Sequence, residues 1–281
     1  MKPAEFHYRI PWRAAGSRPG SHRGRYSGSG QLFRHLAPLA AHPDPRRLDL
    51  RASFTDPFET WRVRLYEQRS AIPVYAVVDL SGSMAFPGAN PKMAVLADFI
   101  EGLAASVYRS GDTLGIVAAA DRVRQEFYLP PSRQPGAAFR WAERLRRFRP
   151  QGIGCHGLGR AGRFLPGSRG LLFLLSDFHF PLTLVREIMA GLVRHDVVPV
   201  VLWDENEALP QARGLARLAD LEGGGDRLLL LRPALRERLA ANLRQRRERL
   251  IALFRQCGRE PLILPEGFDA DRITRYFLRS P

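Results

Sequence analysis

Cysteine is nearly absent. Two in 281 residues, Cys155 and Cys257, give no disulfide framework and point to a reducing compartment. They also lack the paired spacing of a zinc site. Lysine is as scarce: only Lys2 and Lys92 stand among 43 basic residues. The net charge of +15 is therefore almost all arginine, a skew that genomic base composition produces without any selection for binding. No apolar run approaches the roughly 18 residues of a membrane span. Residues 1–6 lack the apolar core of a signal peptide, so the expectation is a soluble cytoplasmic protein. There is no RNA-recognition signature, zinc-finger spacing or basic-region heptad. Nucleic-acid binding through the arginine surface is thus a secondary reading. No internal repeat is present.

Several short apolar runs are present instead. Residues 73–78 are rich in β-branched and aromatic side chains and read as a buried strand of a parallel sheet; the apolar runs 171–177, which ends in a carboxylate, and 196–203 read as two more. Residues 227–231 read as a fourth. Asn90-Pro91 opens a helix, with Leu96, Phe99, Ile100, Leu103 and Val107 at helical spacing and Gly111 as its cap. Further helices are expected over 139–148, around 184–192, from Pro233 to about Phe254, and over 269–278. Residues 113–120 and 123–129 read as two more strands, and 261–264 as a last one. The alternation predicts an α/β fold: a doubly wound, mostly parallel sheet from about residue 71 to the end.

The first 70 residues read as an extension. Up to about residue 45 they are rich in Gly, Ser, Arg and Pro and read as loop or mobile arm. Phe6, Tyr8, Ile10 and Trp12 alternate, which admits a short strand. Trp61, Val63 and Leu65 alternate with arginines as in a half-exposed strand; those arginines are expected to face solvent or pair with carboxylates.

The chemistry centres on Asp79-Leu80-Ser81-Gly82-Ser83. Asp79 ends a buried strand, and in open α/β sheets ligands bind at that edge. One carboxylate and two hydroxyls at alternate positions give three hard oxygens on one exposed loop. Mg²⁺ asks for oxygen ligands at roughly 2.1 Å in near-octahedral geometry. Asp177 ends a second buried strand, and two such carboxylates are costly to desolvate without a cation or donors. Between them lies Gly152-Ile153-Gly154-Cys155-His156-Gly157. It matches Gly-x-Gly-x-x-Gly, but does not follow a strand directly, so the nucleotide reading is weak. The histidines show no pairing with Ser81 or Ser83 that would make either a nucleophile. A metal-dependent hydrolase or phosphatase using Asp79 and Asp177 is the catalytic alternative; the expectation is no enzyme.

Asp79, Ser81 and Ser83 together resemble the first metal-binding motif of von Willebrand factor A (VWA) domains, Asp-x-Ser-x-Ser. Asp177 matches the third-loop aspartate of those domains. Cys155 stands where their second loop carries a Thr, and a thiol suits Mg²⁺ badly. Residues 47–53, 63–67, 176–178, 200–207, 209–210 and 218–223 extend the likeness. Over about residues 45 to 280 the chain resembles the bacterial VWA family known as domain of unknown function fifty-eight, within it the MoxR-associated accessory proteins of methanol-oxidation clusters. Leu50 departs from that family's usual Trp. The resemblance implies Mg²⁺ held by Asp79, Ser81, Ser83, Cys155 and Asp177. It implies an adaptor for a MoxR-like AAA+ ATPase, acting in assembly, metallation or activation of a client enzyme.

Overall fold

The amino-terminal stretch that reads as a loop or mobile arm contributes two strands in the computed structural model. The structure describes residues 4–16, 18–28, 32–86, 88–150, 154–204, 214–220 and 225–279. It divides into a smaller unit, Arg9–Ile72 with Ser110–Asp112, and a larger one made of the rest. In the smaller unit β1 (Pro19–Gly28) and β2 (Leu32–Pro38) flank β3 (Arg62–Ser70) in an antiparallel sheet of order β1-β3-β2. Glycine misled the sequence reading here. The β1–β3 register slips twice, and a Cβ on Gly24 would lie 2.5 Å from the Gln68 carbonyl oxygen. Glycine is what a bulged strand in close backbone contact requires.

β3 has the half-exposed pattern its alternation predicts: Val63 and Leu65 are buried with Ala37. Its arginines pair as expected, Arg62 with Asp56 at 2.6 Å and Arg64 with Asp49 at 2.7 Å. Asp49 also caps the short helix α1 (Leu50–Phe54) by accepting the Ala52 N–H. At the unit's other edge Asp112 accepts the Ile72 N–H at 2.8 Å and meets His22 at 2.8 Å.

The larger unit runs β4 (Pro73–Asp79), α2 (Lys92–Arg109), β5 (Thr113–Ala119), β6 (Leu129–Ser132), α3 (Pro135–Arg147) and α4 (His156–Arg160). It continues with β7 (Leu171–Ser176), α5 (Leu182–Gly191), β8 (Asp196–Val201), β9 (Gly214–Asp220), β10 (Gly225–Leu231), α6 (Pro233–Gln256), β11 (Leu262–Ile263) and α7 (Ala270–Arg279). Six strands form one sheet in the order β11-β8-β7-β4-β5-β6, parallel except for β6. From β4 the chain winds outward to β5 and then back to β7, β8 and β11 on the other side. This is the doubly wound α/β fold that the alternation predicts.

Period-2 burial divides the core. Tyr75, Val77, Leu172 and Leu174 pack into one apolar cluster with Leu184, Ile188, Leu250 and Phe254. Phe173, between two of them in β7, instead meets Phe99 of α2 at 5.5 Å and Phe277 of α7 at 6.0 Å. A strand buried on both faces has to be apolar at every position, and every residue of β7 is buried.

Three expectations change. In place of a strand over 123–129 there is a 3-10 turn, Gln125–Phe127, and strand begins only at Leu129 with β6, which carries two prolines and sits on the sheet edge where proline is tolerated. Residues 227–231 belong to β10, which pairs antiparallel with β9 in a separate two-stranded sheet rather than joining the main one. Residues 6–12 form no strand, although Phe6 and Tyr8 are buried. No helix among the described residues is long and apolar enough to cross a membrane.

Candidate functional site

The two carboxylates end neighbouring strands. Val78 pairs with Leu175 across β4 and β7, so the next residues, Asp79 and Ser176, leave the sheet side by side and Asp177 follows. Gly82–Ala85 forms a 3-10 turn that curls Ser83 back over the edge. The result is one hydrogen-bonded cluster. Ser83 Oγ donates to Asp177 Oδ1 at 3.1 Å and lies 3.2 Å from Ser81 Oγ. Asp79 Oδ1 accepts the Ser81 N–H at 2.8 Å, and its Oδ2 accepts the Ser176 hydroxyl at 2.6 Å. Four of the five candidate ligands, Asp79, Ser81, Ser83 and Asp177, therefore converge.

They are not presented to solvent. Asp79 and Ser81 have no exposed surface, and Asp177 and Ser83 are buried too. The exposed oxygen-rich loop that the motif suggests is folded inward. Burial, and then the charge of Asp177, push the Asp79 carboxyl up to about 7. Burial acts on Asp177 in the same sense, but the positive charge of Lys92, followed by His179, outweighs it and holds Asp177 below the usual carboxylate range.

Lys92 is the residue that motif reasoning missed. Its Nζ donates to Asp177 Oδ2 at 2.6 Å and reaches the Ser83 carbonyl oxygen at 3.4 Å. The signal was compositional, a lysine kept in a chain whose positive charge is nearly all arginine. Ser176 was missed as well; it donates to Asp79 and accepts the Phe178 N–H at 2.8 Å. Phe178 has φ of 56°, a conformation a bulky side chain adopts only when its surroundings impose it. They do so here. Trp203 Nε1 donates to the Asp177 carbonyl, and Arg246 of α6 donates to the carbonyls of Phe178 and Phe180 at 2.8 and 2.6 Å.

As arranged, these groups do not fit an added Mg²⁺. Hard oxygens are present, but both Asp79 oxygens and Asp177 Oδ1 already accept protein hydrogen bonds. An ammonium already sits on Asp177 Oδ2. Cys155, at the N-cap of α4, is buried and belongs to the apolar cluster that includes Val77, Ala119 and Leu158. His156 is exposed. Among the described residues no three His, Cys, Asp or Glu side chains are grouped to hold a metal.

The glycine-rich loop has a packing explanation. Gly152 lies outside the described residues. A Cβ on Gly157 would lie 2.6 Å from the Arg122 carbonyl carbon and 2.8 Å from the Ala120 carbonyl oxygen, which accepts the Gly157 N–H. At Gly159 nothing stands within 4 Å. Gly157→Ala should therefore cost about 1–3 kcal/mol by forcing backbone apart, whereas Gly159→Ala, within α4, should be neutral or stabilising by up to ~1 kcal/mol. Urea unfolding of both variants checks this; equal effects would mean that the loop does not pack as described.

Of the segments that carry the family resemblance, residues 205–207, 209–210 and 221–223 lie outside the described residues. Residues 44–249 match the model of a family described as Protein of unknown function DUF58. A Paracoccus denitrificans protein described as "Uncharacterized protein in moxR 3'region" is 34% identical over 99 residues, covering 35% of this chain and 94% of that protein. Among solved structures, the conserved hypothetical protein BatB from Bacteroides thetaiotaomicron is 14% identical with a TM-score of 0.44, over 75% of this chain and all of that one. An aerotolerance-related membrane protein from Bacteroides fragilis is 15% identical with a TM-score of 0.43, over 74% of this chain and 98% of that one.

Proposed function

Because the chain belongs to the DUF58 family of proteins of unknown function, we propose that it is a protein-interaction module, an adaptor for a MoxR-like AAA+ ATPase rather than an enzyme. In this reading it brings the ATPase to a client enzyme that is assembled, metallated or activated. The observation that carries the interaction reading is the surface of the smaller unit. Phe54 and Phe58 are 79% and 78% exposed, and Trp61, stacked edge-on against Phe54 at 6.5 Å, is 51% exposed. Clustered exposed aromatics are costly in water and mark sites that a partner covers. The choice of partner rests on the relative whose description places it in the moxR 3' region.

Beside Lys92 the larger unit leaves little room for a small-molecule substrate. The cleft lined by Lys92, Trp203 and Asp204 holds about 10 Å³, room for about one water. A small-molecule substrate needs roughly 300 Å³ or more.

The test is capture of the host's own MoxR-type ATPase by the purified chain. Wild type should retain it, and a Phe54→Ala/Phe58→Ala variant should bind at least about tenfold more weakly, the ~1.4 kcal/mol or more expected of a truncated aromatic anchor. Its melting temperature should be unchanged. Failure to retain the ATPase together with hydrolysis of generic phosphoesters would replace this reading with the hydrolase.

A further inference from the structure

We infer that the Lys92 ammonium is the resident cation of this edge, standing where a metal-dependent relative of the fold would hold a divalent ion, so that the edge keeps its shape without metal. The inference does not depend on which partner the protein binds.

The geometry carries it. A metal in such an edge neutralises the strand-end carboxylates and ties the Asp-x-Ser-x-Ser loop to the aspartate of the neighbouring strand. Here one ammonium neutralises Asp177 and reaches the loop, while Asp79 is held by the Ser81 N–H and the Ser176 hydroxyl. Lys92 Nζ is 2.6 Å from Asp177 Oδ2, and it reaches the carbonyl oxygen of Ser83 in the loop. The two side chains are 4% and 0% exposed, so this is an interior ion pair and not a surface contact that drifts in and out of register. Ser83 Oγ completes the tie by donating to the other oxygen of Asp177.

The position of Lys92 needs this explanation. It is the first residue of α2, where the helix dipole disfavours positive charge, and its helix gives it no reason to be basic. The ammonium also lies 5.6 Å from the Phe86 ring, a second cation contact in the same place. A divalent ion entering beside Asp177 would meet a fixed positive charge in a low-dielectric setting, and would have to displace it. The remaining donor that the motif pattern offers, Cys155, is a thiol, a poor ligand for a hard ion.

The experiment is thermal unfolding and calorimetry of the full chain with MgCl₂ and with EDTA. An ion present at about 100 times its Kd would raise the melting temperature by several degrees, on the order of 5 °C. Wild type should show no such shift up to about 10 mM Mg²⁺, the level that tests for a Kd near ~100 μM, and EDTA should leave it unchanged. Lys92→Met removes the ammonium while keeping most of the stem, and the folded variant should now be stabilised by Mg²⁺. Two results would overturn the inference: a Mg²⁺-dependent rise in wild type that Asp79→Asn abolishes, or a Lys92→Met variant that folds and ignores Mg²⁺. Should Lys92→Met not fold, the wild-type titration decides alone.

Discussion

Lys92→Met should lower the stability of the protein by about 3–5 kcal/mol, the range measured when one partner of a buried ion pair is removed. At 2–4 °C per kcal/mol for a chain of this size, the melting temperature should fall by roughly 10 °C. The loss comes less from the missing attraction than from what stays behind. Asp177 is 0% exposed at its side chain, and without Lys92 it must either remain charged in the interior or take up a proton. That distinction makes a double variant informative. Asp177→Asn alone strands the ammonium and should also destabilise. The two changes together leave two neutral side chains, so the combined loss should fall short of the sum of the single losses by about 2 kcal/mol or more. Denaturant unfolding with unchanged slope measures all four corners of the cycle. Additive losses, or a Lys92→Met cost below about 0.5 kcal/mol as at a surface site, would show that the pair is not held as the structure has it.

Phe6→Ala should be nearly as damaging, at about 3–5 kcal/mol for a buried phenylalanine, although it precedes every strand and helix of the fold. Phe6 is fully buried among Phe99, Phe173 and Phe268, with ring centroids at 5.8, 6.2 and 6.4 Å. Its N–H donates to Ser106 Oγ at 2.9 Å, which anchors the segment to α2. Truncation leaves a cavity bounded by rings from α2 and β7, elements that also support the candidate site and so resist collapse. Phe54→Ala is the control: at 79% exposure it should change stability by no more than about 0.5 kcal/mol. If the two substitutions prove equivalent in a melt, the amino-terminal segment is not part of the core.

The candidate site was legible in part, and the division has a physical cause. A strand buried on both faces has to be apolar throughout, so 73–79 and 171–176 announce themselves in the sequence, and a carboxylate at the end of such a run is conspicuous. From there Asp79 and Asp177 follow as edge residues, and Ser81 and Ser83 come with the motif. Lys92 carries no such mark, because its role depends on α2 starting where its first residue overlooks β7, a strand 79 residues further along the chain. Whether the oxygens face solvent or one another is likewise undecided by the motif; the 3-10 turn of Gly82–Ala85 turns Ser83 toward Asp177.

The same boundary runs through the fold. Local pattern was enough for the β/α alternation, for α2 and its buried face of Leu96, Phe99, Ile100, Leu103 and Val107, and for the parallel strands, because period and composition are properties of consecutive residues. Tertiary structure decided what depends on distant partners. Gly- and Ser-rich residues became β1 because β3 was there to pair with it. Residues 227–231 paired with β9 instead of the main sheet. Phe6 became core because α2 and β7 leave a place for its ring. The sequence by itself therefore determined the α/β class and the two acidic strand ends. Only the tertiary structure decided that a lysine ammonium would meet one of those ends, because the chain separation between Lys92 and Asp177 is closed by strand order and not by any local pattern.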